Sequence, residues 1–217
     1  MRSFYNNALV AKASTTEEPD AGNRTSGSVR GAPGNGCSYR ESQKVRVFAM
    51  AGIFSFKCSS CGKIHEGSPS FAFKAPDPYL EQPDEIKEKG KLGSDLCYYE
   101  DEDGYHYFVR VIIEIPIHGV SEPFMWGVWV SLSEESYTHY VETYDAPDVS
   151  RVYFGWFCNY LPYYESTYSL ATDVHPRENG DRPYLCLHES EHELYADSIN
   201  GISIEKAQEI AEKSMHG

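Results

Sequence analysis

Apolar and polar residues alternate most regularly between Tyr105 and Ile117. Successive side chains of a strand point to opposite faces, so this alternation predicts one long strand with a continuous apolar face. The segment from Phe124 to Leu132 alternates in the same way after a short turn, which predicts an antiparallel hairpin. The second face of the long strand carries two charged residues, Arg110 and Glu114, among apolar neighbours.

Weaker patterns predict further elements on both sides of this hairpin. Short apolar runs predict strands at 53–57, 70–74, 166–174 and 183–188, and a charged stretch predicts a helix around 84–91. Ser133, followed by two glutamates, is typical of an N-cap and predicts a helix to about Tyr144. A final helix with one apolar stripe is expected from Ser203. Because the strands follow one another instead of alternating with helices, the predicted fold class is α+β with a mainly antiparallel sheet and a C-terminal helix.

The first 45 residues differ in composition from the rest of the chain. They are rich in small and polar residues, have few large apolar ones and show no periodicity, so we expect a disordered or dispensable N-terminal extension at 1–45. Met50 immediately precedes the first strand. We therefore expect that the native chain starts at Met50 and that the upstream part is an over-extended reading frame or a dispensable tail. Residues 50–217 are expected to form a single domain.

The charge of the chain is uneven and excludes some partners. Residues 1–49 hold seven Lys and Arg against four Asp and Glu, a net of +3, whereas residues 50–217 hold 12 against 29, a net of −17. An acidic body repels phosphate backbones, which argues against nucleic-acid binding and favours a basic protein, a basic peptide or metal ions. A solvated acidic surface that only confers solubility explains the same composition. The sequence does not specify an oligomeric state.

A short segment around Cys58 and Cys61 carries the strongest chemical signal. The two cysteines stand two residues apart, Gly62 can take the positive φ that closes the turn, and His65 follows. Thiolates and imidazoles at this spacing are typical ligands of zinc, so we expect an N-terminal zinc knuckle with zinc as the cofactor. A fourth ligand must come from elsewhere, and we prefer Cys97 to the alternatives, which are His175, His188 and His192. A buried thiol pair without metal explains the same spacing.

Arg110 and Glu114 form a second candidate site. They lie four residues apart on one strand face, roughly 13 Å, and charges on a covered face are usually paired. One interpretation is a structural ion pair or a solvated face. The other makes Arg110 an anion clamp and Glu114 an acid or base near Trp129. The sequence has no Ser/His/Asp order, no phosphate loop and no helical His-Glu-x-x-His, so no catalytic residue is assigned.

Several ordered motifs over about 50–216 resemble a bacterial family, domain of unknown function 2199. The matching blocks are Phe56-x-Cys58-x-x-Cys61-Gly62-x-x-His65-x-Gly67-x-Pro69, Ser94-Asp95-Leu96-Cys97, Ile115-Pro116, Trp126-Gly127-Val128-Trp129-Val130-Ser131-Leu132-Ser133, Phe154-Gly155-Trp156, Leu161-Pro162, Arg182-Pro183 and Gly201-Ile202. The resemblance implies a bacterial, cytosolic zinc-knuckle domain and assigns no reaction. The family tends to have His-Pro-Leu-Ala where this chain has His192-Glu193-Leu194-Tyr195, which weakens any role for His192.

Two classes of function are compatible with these observations. The leading hypothesis is a non-catalytic module with a structural zinc that binds another protein through an acidic, aromatic-rich surface. The alternative is a metal-dependent hydrolase with three protein ligands and an open zinc position. No run approaches the roughly 20 apolar residues needed to span a bilayer, so no membrane contact is expected. Six unevenly spaced cysteines favour a reducing, cytoplasmic location.

Overall fold

The computed structural model of the protein describes residues 54–178 and 180–216. The expectations about the extension at 1–45 and about a start at Met50 lie outside these ranges and stay predictions. Within them no helix is long and apolar enough to cross a membrane.

Ten strands and five helices make up the described part of the chain. The strands are β1 (Ser55–Lys57), β2 (Ile64–Glu66), β3 (Ser70–Ala72), β4 (Lys91–Leu92), β5 (Leu96–Asp101), β6 (Gly104–Ile115), β7 (Phe124–Leu132), β8 (Tyr153–Phe157), β9 (Ala171–His175) and β10 (Tyr184–Leu187). The helices are α1 (Asp77–Leu80), α2 (Asp84–Lys89), α3 (Glu134–Glu142), α4 (Glu193–Asn200) and α5 (Ile204–His216). Ser133 caps α3, as predicted, by accepting a hydrogen bond from the backbone N–H of Ser136.

The predicted hairpin is present and forms the framework of the fold. Strands β6 and β7 pair in antiparallel register from Tyr107 opposite Leu132 to Ile115 opposite Phe124. The structure buries the apolar face that the alternation in the sequence predicted for these two strands. The inward positions of both strands are buried, and they are Val109, Val111, Ile113, Ile115, Phe124, Trp126, Val128 and Val130.

The remaining strands close this hairpin into a barrel. Antiparallel pairings lead from β7 through β8 and β9 to β10, and β10 then pairs with β6 in parallel at Tyr184 opposite Ile112. Strand β3 adds a second parallel pairing beside β7. The α+β class and the C-terminal helix are therefore confirmed, but the expected mainly antiparallel sheet is a mixed one that contains a five-stranded barrel. Closure leaves the barrel strands without free edges, which an open sheet would expose.

Several short elements were not predicted, namely strands β2, β4 and β8 and helices α1 and α4. Strand β5, which carries Cys97, pairs with β4 and β6 and not with the knuckle strands β1 and β2. Helix α5 follows the predicted stripe and buries Ala207, Ile210 and Ala211, although Ile204 at its start remains 42% exposed.

Candidate metal site

The local backbone around Cys58 is a tight knuckle closed by its own hydrogen bonds. Strands β1 and β2 form a separate antiparallel pair, with Phe56 opposite His65. The N–H of Cys58 donates to the carbonyl of Lys63 at 2.8 Å, and the N–H of Gly62 donates to the carbonyl of Cys58 at 2.9 Å. Gly62 has a φ of +71°, the left-handed conformation that glycine can adopt to close this turn. These hydrogen bonds close the Cys-x-x-Cys turn and hold Cys58 and Cys61 near each other.

One polar face of helix α5 attaches to this knuckle. Gln208, Glu212 and His216 are spaced four residues apart, so they lie on the same side of the helix. The carboxylate of Glu212 accepts from the backbone N–H of Ser59 at 2.6 Å and from its hydroxyl at 2.5 Å. Gln208 donates to the carbonyl of Lys57 at 3.4 Å. These contacts bring His216, at the end of the helix, to the knuckle.

Four side chains converge at this point: Cys58, Cys61, His65 and His216. Their sulfur and imidazole nitrogen atoms all lie within 4.8 Å of one another. The Sγ of Cys58 is 3.3 Å from Nε2 of His216, and the Sγ of Cys61 is 3.5 Å from Nε2 of His65. Zn–S bonds of about 2.3 Å and Zn–N bonds of about 2.0–2.1 Å at tetrahedral angles place sulfur and nitrogen ligands about 3.5 Å apart. The group could hold a metal ion of that kind.

The surroundings of Cys58 favour its thiolate form. The side chain is buried, and burial acts to raise the pKa of the thiol. Hydrogen bonds with the backbone and side chain of Cys61 and with the backbone of Ser60 outweigh that effect, so the pKa of Cys58 lies below its usual value. Thiolate is the form that binds metal.

Cys97, the preferred fourth ligand in the sequence analysis, is not part of this group. It lies on β5 opposite Phe108, is fully buried, and packs in a hydrophobic cluster with Tyr99 and Trp129. Burial raises the pKa of its thiol to about 12, as expected of a small apolar core residue. The side chain that the structure places with Cys58, Cys61 and His65 is instead that of His216, at the end of helix α5.

The other histidines considered as ligands have different surroundings. His188 lies 2.9 Å from the carboxylate of Asp173. His192 is the N-cap of α4 and accepts from the N–H of Leu194. His175 stacks on Tyr184 with ring centroids 4.6 Å apart. None of the three belongs to the described metal-type group.

Arg110 and Glu114 interact with different partners. Glu114 pairs with Arg177, whose Nη2 is 2.6 Å from its carboxylate. Arg110 lies opposite Trp129 in the hairpin and donates to the carbonyl of Ser94 at 3.2 Å, whereas Glu114 lies opposite Met125. Within the described part of the chain, Arg110 and Glu114 do not form an ion pair with each other.

Arg110 is partly buried beside a second arginine, Arg182. Burial and the nearby charge of Arg182 lower the pKa of Arg110, and Asp95 only partly opposes them. Asp95 itself pairs with Arg182, with 2.6 Å between Nε and the carboxylate. The Nε of Arg110 is buried without a hydrogen-bond partner among the described residues. Residues 94–95, 110 and 182 thus form one polar cluster, distinct from the pair at Glu114.

Comparison with known families identifies the chain. The model of a family described as an uncharacterized protein conserved in bacteria (DUF2199) matches residues 57–202, more than half of the 217 residues, and the chain belongs to that family. The matched range contains Cys58, Cys61 and His65 and ends before His216. Comparisons with curated proteins and with solved structures found no match.

Proposed function

We propose that this member of the DUF2199 family is a zinc-binding, non-catalytic module in which Cys58, Cys61, His65 and His216 hold a structural zinc ion. One observation carries the proposal: two thiols and two imidazoles from distant parts of the chain lie within 4.8 Å of one another. Two cysteines and two histidines are a ligand set of structural zinc sites, which are four-coordinate and closed.

The position of the site in the fold supports a structural role. Three of the ligands come from the knuckle at one end of the described chain, and the fourth comes from the last turn of helix α5. An ion bound by all four would tie these two segments together, in addition to the contacts of Gln208 and Glu212. Binding of the ion would then be coupled to the stability of this part of the fold.

A metal-dependent hydrolase is the alternative, because it needs only three protein ligands and one open position for water. Cys61 and His216 are exposed, so solvent reaches this side of the site. The two functions differ in one measurable property, the number of protein ligands. With four ligands the ion has no open position, whereas with three it binds water.

Substitution of the metal by Co²⁺ tests the coordination directly, because the visible absorption of Co²⁺ depends on ligand number and geometry. We expect the full chain to give the intense bands of a tetrahedral site, unchanged by added azide. His216→Ala should open one position, so that azide alters its spectrum, while His188→Ala should behave like the parent protein. A parent spectrum that responds to azide would instead support the open site of a hydrolase.

The same proposal includes a binding partner that is a basic protein or peptide. Support comes from the charge of residues 50–217. This range holds 12 Lys and Arg against 29 Asp and Glu, a net charge of −17. Such a surface attracts basic partners and repels nucleic acid. Exposed aromatic side chains such as Phe154, Trp156 and Tyr160 are common in protein-binding surfaces.

A further inference from the structure

A cavity of about 370 Å³ opens on the outer face of the barrel. Its floor follows one row of residues across neighbouring strands, because Phe108 lies opposite Ser131 and Ser131 lies opposite Trp156. The row faces away from the barrel interior, since the adjacent positions of β6 and β7 point into the core. A loop residue, Tyr168, completes the wall.

Aromatic rings dominate the lining of this cavity. Tyr99 stacks on His106 with ring centroids 4.7 Å apart and on Phe108 at 5.7 Å. Trp156 and Tyr168 are 46% and 37% exposed, so their rings are available to a ligand. No lysine or arginine is among the described residues that line the cavity.

Two carboxylates lie beside residues of this lining. Asp101 lies 2.8 Å from Nε2 of His106. The carboxylate of Asp77 accepts from the backbone N–H of Tyr160 at 2.7 Å, and the ring of Tyr160 stacks on Tyr168 with centroids 5.4 Å apart, so this negative charge lies near the Tyr168 wall of the cavity. Rings with accessible faces, nearby negative charge and no competing cation are the features that bind an organic cation.

We propose that this cavity binds a cationic side chain, lysine or arginine, of a basic peptide through cation–π contacts with Trp156 and Tyr168. The inference rests on the basic partner proposed above and assigns that partner a place on the molecule. The alkyl part of the side chain would pack on the aromatic floor, and the charged end would lie among the carboxylates.

Fluorescence anisotropy of a labelled peptide of alternating glycine and lysine, titrated with the full chain, tests the site. We expect Trp156→Ala and Tyr168→Ala each to weaken binding about 5- to 30-fold, the range expected for loss of one cation–π contact. Tyr105→Ala is the matched control, because Tyr105 is 55% exposed on β6 and does not line the cavity. Its affinity should equal that of the parent protein. Urea unfolding midpoints establish that each variant is folded.

Intrinsic fluorescence gives a second measurement that needs no destabilising change. Trp126 and Trp129 are only 2% and 0% exposed, so Trp156 is the tryptophan that a surface ligand can reach. Unlabelled lysine peptide should alter the emission of the parent protein and leave that of Trp156→Phe unchanged.

The outcomes separate this inference from the proposed partner. If the lysine peptide binds the parent and all variants equally, a basic partner stands but this cavity is not its site. If neither the lysine peptide nor the same peptide with arginine in place of lysine binds, the basic partner itself is refuted, and the inference fails with it. If a peptide with glutamine in place of lysine binds equally well, the ligand is not a cation and the inference is also refuted.

Discussion

Asn159 provides a stringent test of the described packing, because one fully buried side chain connects three segments. Its Oδ1 accepts from the backbone N–H of Trp129 at 2.8 Å, and its Nδ2 donates to the carbonyl of Ala75 and to the carboxylate of Asp77, both at 3.0 Å. Asp77 keeps a further donor, the N–H of Tyr160 at 2.7 Å. Asn159→Ala therefore leaves two buried backbone groups, one N–H and one C=O, without partners.

The expected loss of stability follows from the two buried backbone groups that lose their hydrogen-bond partners. Each buried and unpaired polar group costs about 1–3 kcal/mol, and a water molecule admitted by the smaller side chain would recover part of this. We expect Asn159→Ala to lower the free energy of unfolding by about 2–4 kcal/mol and the melting temperature by roughly 5–15 °C. Exposed surface changes usually stay within about 0.5 kcal/mol, so Asn200→Ala at the exposed end of α4 is the control.

Urea unfolding followed by tryptophan fluorescence measures both variants, because Trp129 is fully buried beside Asn159 and becomes exposed on unfolding. The slope of the transition should stay constant while the midpoint falls for Asn159→Ala alone. A midpoint for Asn159→Ala that matches that of Asn200→Ala would refute the bridging role of this side chain.

Three further predictions concern charge and chain length. Glu114→Gln and Arg177→Met should each destabilise the protein, because either single change removes this ion pair and keeps the other charge half-buried. The double variant should be less destabilised than the sum of the two single variants. Thermal melts of the three variants decide it, and strict additivity would contradict the pair. Burial lowers the pKa of His175 below 6.5, so the unfolded chain binds the proton more readily than the folded one. The free energy of unfolding should therefore fall as the pH drops below about 6.5. His175→Phe should reduce this loss in unfolding measurements from pH 7 to 5, and an unchanged pH profile would contradict the prediction. A chain that starts at Met50 should keep the melting temperature of the full chain, and a large drop would mean that residues 1–49 pack on the domain.

The sequence predicts local structure well and distant partners poorly, for a physical reason. The N-cap at Ser133 and the alternation of β6 and β7 depend on neighbouring residues, and the structure reproduces them. Barrel closure depends instead on Tyr184 meeting Ile112 in parallel, which no periodicity in either strand indicates. The same limit applies to the candidate metal site. The spacing in the sequence indicates Cys58, Cys61 and His65, whereas His216 joins them only because helix α5 packs against the knuckle. Cys97 had the right chemistry, but its strand pairs elsewhere and buries it in the core.

Elemental analysis of purified full-length protein tests the central claim most directly. We expect about one zinc per chain in the parent protein and in Cys97→Ser, since Cys97 lies outside the site, and no stoichiometric zinc in Cys58→Ser, together with a lower melting temperature. A fully folded parent protein without metal would contradict the structural zinc, and loss of zinc from Cys97→Ser with retention in Cys58→Ser would contradict the ligand set.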